Sequence, residues 1–113
     1  MKAILTALVL VTFTFGVGAG HADPNAIALI NARCQKKWGD DFRMQRHCRD
    51  KQTAAMLWVG EFVRKHKIKP GSNDAKAKAL TQCWTKWSEQ DNPDWRMVKY
   101  CTEKQIEAYN TLD

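Results

Sequence analysis

The chain says the same thing twice, and that duplication constrains its fold more than any other feature. Cys34, Lys37 and Trp38 return as Cys83, Lys86 and Trp87. Asp41, Arg43, Met44, Cys48, Lys51, Gln52 and Ala55 return as Asp94, Arg96, Met97, Cys101, Lys104, Gln105 and Ala108. With residues 23–38 set against 72–87 and 41–59 against 94–112, twelve of thirty-five positions are identical, where ordinary composition gives roughly two by chance. Phe42 with Trp95, Arg46 with Lys99 and Asp50 with Glu103 are conservative exchanges. Repeat one covers 23–67 and repeat two 72–112, and the link between them, Lys69-Pro70-Gly71-Ser72, is too short to make the halves independent.

Residues 1–22 read as a signal peptide rather than as part of the fold. Lys2 is a short basic region, Ala3 to Val17 is apolar, and Gly20-His21-Ala22 sets small residues at the two positions a signal peptidase reads. The apolar run is short for a membrane span of ~20 residues, and no later stretch is apolar enough to be one. The remainder, 23–113, is expected to be one small helical domain, secreted or periplasmic.

Core material in that domain is scarce. It holds 13 Leu, Ile, Val and Phe residues, a fraction that ordinarily goes with disorder. Five tryptophans and four cysteines must compensate. An even cysteine count behind an export signal reads as a disulfide framework with three possible connectivities. The duplication selects one: a unit that folded with its own bridge keeps it, which pairs Cys34 with Cys48 and Cys83 with Cys101. Four thiolates around zinc are the rival, but the chain has no Cys-x2-Cys pair, so no metal site is expected.

Helical periodicity supports the same pairing. Asp23-Pro24 starts a helix, and Ile27, Ile30, Cys34 and Trp38 follow at three- and four-residue steps until Gly39. Asp40 or Asp41 caps the next helix, whose stripe is Met44, Cys48, Gln52, Ala55, Val59 and Phe62, running to about Lys67. Cys34 and Cys48 then sit at nearly equal height on either side of the corner, at ~1.5 Å of rise per residue. In repeat two, Ser72 is the expected cap, and Ala79, Leu80, Cys83, Trp84 and Trp87 the buried face. Ser88 to Pro93 lengthens the turn as a loop, and a fourth helix runs from Asp94 to about Thr111. The expected fold is all-α, a tandem repeat of two disulfide-stapled αα-hairpins with about four helices.

Catalysis finds little footing in these residues. No histidine is shared between repeats: His47 becomes Tyr100 and His66 has no counterpart. Asp41 and Asp94 read as helix caps rather than as an acid–base pair. The chain is therefore expected to be noncatalytic and without a cofactor, a binding or protein-interaction module.

Two surfaces are candidates. Residues 54–63 carry apolar groups on more than one face of their helix, so Trp58 and Phe62 are candidate contacts for a protein partner or a second copy, with the second hairpin as the default cover. Arg43, Arg46 and Arg49 stand in a basic stretch that could instead meet an anionic surface, lipid headgroups or polyanions. The formal charge of +6 is basic without being extreme, and no nucleic-acid reading motif accompanies it, so specific nucleic-acid recognition is not expected. Intact-mass measurement of exported protein should find an N-terminus at Asp23. Retention of residues 1–22, or a start beyond Asn25, overturns the assignment of the leader.

Overall fold

The computed structural model describes residues 23–112, so the predicted signal peptide lies outside the described residues. The elements are α1 (Pro24–Trp38), α2 (Phe42–Lys65), α3 (Ala75–Trp87), β1 (Ser88–Glu89), β2 (Asn92–Pro93) and α4 (Trp95–Asn110). All four helices start on an aspartate. Asp23 accepts from the Asn25 N–H at 3.1 Å, Asp41 from Met44 at 3.1 Å, Asp74 from Ala77 at 2.9 Å and Asp94 from Met97 at 3.4 Å. Each carboxylate satisfies a donor that has no carbonyl above it in the helix, and its charge suits the positive end of the dipole.

The third of these caps corrects the expectation from sequence. Ser72 does not start α3; its hydroxyl accepts from the Lys69 N–H at 2.9 Å and closes the turn between the repeats. Asp74 takes the cap two residues later, the Ser72 hydroxyl being engaged in that turn. The elongated corner of the second hairpin also departs from a plain loop. Ser88 and Glu89 pair antiparallel with Pro93 and Asn92, and Gln90 and Asp91 make the reversal at φ 51° and 64°. Two successive left-handed residues give the turn that matches strand twist. Gly39 ends α1 at φ 48°, where a residue with a Cβ is strained.

Cys34 is bonded to Cys48 and Cys83 to Cys101, with Cα separations of 5.7 and 5.6 Å. Each bridge spans the two helices of one hairpin beside its corner. Around the first lie Ile30 and Met56, with Ala26, Ile27, Trp38 and Trp95 against them. The second cluster is Val59, Phe62, Leu80 and Val98, covered by residues that include Trp58, Trp84, Trp87, Trp95 and Ile106. Trp95 touches both clusters. The stripe expected on α2 is buried at Cys48, Gln52, Ala55, Val59 and Phe62, while Met44 is half-buried.

The hairpins join through α2 and α4. Gln52 meets Asp94 and Trp95, Lys99 lies over Trp58, and Ile106 flanks Phe62. Contacts advance together along both helices, so α2 and α4 run in the same direction, with the start of α4 beside the middle of α2 and Ile106 beside Phe62 near the end of α2. No described helix is long and apolar enough to cross a membrane.

Loops closed by 14- and 18-residue separations make each bridge worth about 3 kcal/mol in the chain-entropy account. Cys34→Ala with Cys48→Ala should lower unfolding free energy by about that amount in denaturant melts while Cys83–Cys101 stays intact. Failure of Cys83–Cys101 to form in that variant, or a cost under about 1 kcal/mol, is the contrary result.

Candidate functional site

The joint between the hairpins is a polar latch set in an apolar seam. Gln52, 5% exposed on α2, donates from Nε2 to Asp94 Oδ1 at 2.8 Å and accepts the Trp95 backbone N–H at Oε1 at 2.8 Å. A side chain of hairpin one thus caps the first turn of a helix in hairpin two. Arg33 on α1 adds a second strap, donating from Nη2 to the Asn92 carbonyl at 3.0 Å, with Nη1 3.9 Å from Asp94 Oδ2. Beside the latch the Trp95 ring enters the seam and meets Trp84 edge to face, at 5.3 Å and 76°, the geometry aromatic quadrupoles favour.

Trp58 and Phe62 belong to this seam. Their rings stack at 5.1 Å and 18°, and Phe62 meets the edge of His66 at 4.7 Å. Phe62 is buried and Trp58 half-buried. The second hairpin covers much of the apolar segment, and what remains open is a shallow groove of about 340 Å³ between Trp58, Phe62, Ile106 and the rim residues Glu103, Glu107 and Asn110. The charges on that rim are already matched. Lys99 Nζ lies 5.5 Å from the Trp58 ring and 3.3 Å from Glu103, and Lys104 lies 3.2 Å from Glu107. The hydrogen bond and charge of Glu107 raise the Lys104 ammonium above its ordinary pKa.

Arg43, Arg46 and Arg49 are elsewhere. They stand exposed on the first two turns of α2, and Trp58 is roughly 22 Å further along the helix axis from Arg43. None of the three is in an ion pair among the described residues, where the paired arginines are Arg33 and Arg64. Next to them Phe42 is 72% exposed. The structure therefore gathers Trp58 and Phe62 into the joint and leaves the three arginines outside it, with an aromatic neighbour that the sequence reading did not single out. A signal for Phe42 was present: its counterpart, Trp95, is likewise an aromatic one residue after a capping aspartate.

The remaining titratable groups are dispersed. His47 and His66 are on one helix roughly 28 Å apart along its axis, and Asp41 and Asp94 are engaged as caps. Among the described residues no group of three or more His, Cys, Asp or Glu side chains is placed to hold a metal ion. Comparison with protein-family models, curated proteins and solved structures finds no match to this chain.

The two repeated glutamines separate structure from surface. Gln52→Ala strands a part-buried carboxylate and N–H, and should cost about 2–3 kcal/mol of unfolding free energy. Gln105→Ala, at an exposed position, should stay within about 0.5 kcal/mol in dilute solution. Equal costs in parallel thermal and denaturant melts are the outcome incompatible with this account of the latch.

Proposed function

We propose that this chain is a small noncatalytic binding module, exported to a periplasmic or extracellular compartment, that acts through protein interaction. The observation that carries this reading is the face at the start of α2, where Phe42 stands 72% exposed beside Arg43, Arg46 and Arg49. Aromatic rings and arginines are the side chains most enriched where proteins meet, because both bring large contact area and directional polar chemistry. A phenylalanine in water gains from being covered, and the arginines beside it give a partner carboxylates to find. Export is supported by the leader-like first 22 residues and by two disulfides, which persist in oxidising compartments. Trp58 and Phe62 have the narrower role of an apolar groove floor at the edge of the joint.

The noncatalytic part of the reading rests on what the acidic and imidazole groups already do. The two aspartates shared by the repeats hold helix starts, and the two histidines of the exported chain stand too far apart to share a substrate.

A second reading, binding of lipid headgroups or polyanions, is favoured by one specific observation: three exposed arginines spaced three residues apart have no acidic partner among the described residues. Salt separates the two. Exposed charges are screened over ~8 Å at physiological ionic strength, so an anionic-surface binder should release anionic vesicles as salt rises and should lose them altogether in the Arg43→Glu, Arg46→Glu, Arg49→Glu variant. A protein-interaction module should instead retain a partner from its own host in high salt and lose it on Phe42→Ala or Trp58→Ala with circular dichroism unchanged, since a buried aromatic anchor commonly carries ~2 kcal/mol. If neither set of substitutions alters any association, both readings fall.

A further inference from the structure

The joint between the hairpins uses only half of what the duplication supplies. In repeat register Asp94 corresponds to Asp41, so Gln52 meets a position eleven residues out of step with its own counterpart, a shift of roughly 16 Å along the helix. The joint is thus head to tail, not two-fold. A head-to-tail contact between like units leaves one unused donor end and one unused acceptor end. Both ends are present on this chain and both are exposed.

The donor end is the start of α2. Asp41 and Phe42 stand where the joint has Asp94 and Trp95, the aspartate again capping its helix and the aromatic ring again following it. The Phe42 N–H belongs to the first helical turn and has no carbonyl above it, as the Trp95 N–H would have none without Gln52. The acceptor end is the last two turns of α4. Gln105 and Leu112 hold the repeat positions of Gln52 and Val59, which meet the second hairpin, and Ala108 and Tyr109 those of the neighbouring Ala55 and Met56, the latter in the cluster that Trp95 packs against. The four on α2 are buried; their counterparts are all exposed, Tyr109 by 55% and Leu112 by 70%. The glutamine that reads an aspartate and an N–H is thus retained at Gln105, where it stands exposed and the described residues offer it no such helix start.

We propose that the Gln105–Leu112 face of one molecule receives the Asp41–Phe42 helix start of a second copy, repeating the internal latch between molecules. This names the partner for the interaction reading above and rests on it. Gln105 donates to the Asp41 carboxylate and accepts the Phe42 N–H, while the Phe42 ring is covered beside Ala108 and Tyr109. Gln45 and Arg49 replace Val98 and Thr102 of the joint, which are fully buried, so the contact is confined to the latch and its aromatic. It is weaker than the joint and reversible. Because the contact is heterologous, association runs on beyond a dimer.

Sedimentation equilibrium of the exported chain from about 10 μM to 1 mM, a span suited to weak complexes, tests this. The weight-average mass should climb with concentration without levelling at a dimer. Gln105→Ala should weaken association about tenfold, the effect of one lost pair of hydrogen bonds. Phe42→Asp removes the donor end and Ala108→Arg the acceptor end, so each variant alone should remain a monomer. Mixed, they should form one dimer and stop, because one good donor and one good acceptor remain. Tyr109→Arg serves in place of Ala108→Arg should the latter lose its helical circular dichroism.

Wild type that stays monomeric throughout overturns the proposal. So does a dimer that levels off and survives Phe42→Asp, which is a two-fold contact elsewhere, or a variant mixture that stays monomeric while wild type associates. Capture of a different protein through Phe42 by a chain that never self-associates sinks this inference alone and leaves the interaction reading standing.

Discussion

Gln52 holds this molecule together by acting as a helix cap for a helix it does not belong to. A single hairpin of some forty residues has too little interior to be stable in water, and below about that size chains need covalent or oligomeric help. The disulfides fasten each hairpin to itself but do nothing between them. What joins them is a buried amide that satisfies a carboxylate and a backbone N–H at the same helix start, with the Arg33 strap beside it and the Trp95 ring driven into the seam. Polar and apolar terms depend on each other here. The amide is worth its burial only while its partners are dry, and Trp95 keeps them so only while the amide fixes where α4 begins.

Much of the architecture was legible because its determinants are local. A cysteine pair inside one repeat, an aspartate ahead of an apolar stripe and a glycine at the corner each specify structure within about fifteen residues, and duplication states each of them twice. Ser72 misled because a serine eleven residues before Cys83 matched Asp23 in register. The competing cap, Asp74, prevails because the Ser72 hydroxyl is taken by the Lys69 N–H, a local contact that register does not reveal. The β-turn at Gln90-Asp91 escaped notice because neither residue is glycine, and positive φ at both is enforced by the strands on either side.

The joint was illegible for the opposite reason, since it depends on differences between the repeats. Arg33 aligns with Gln82, Phe42 with Trp95, Gln45 with Val98 and Arg49 with Thr102. A repeat alignment treats these as noise, yet they decide which copy of each surface is buried. The Gln52 partners are 42 and 43 residues away, beyond the reach of any periodicity argument. The exposed arginines were visible in the sequence, but Phe42, their neighbour, was not distinguishable from a core residue until the structure showed it 72% exposed.

These differences also bear on why residues 54–63 are so apolar. In the second repeat the positions of Leu57 and Trp58 are held by Asn110 and Thr111, both exposed. α2 must serve two neighbours at once, α1 through the Cys48 and Met56 side and α4 through Val59 and Phe62. Trp58 lies at the margin of the second contact, where a half-buried indole covers Phe62 on one side and takes the Lys99 ammonium on the other. Its exposure is the rim of an internal interface. An end-capped repeat pair is expected to be apolar in the middle and polar at both ends. Measured against that expectation, Phe42 at one end and Tyr109 with Leu112 at the other are the departures, and departures from a rule that the rest of the chain obeys are where function is to be sought.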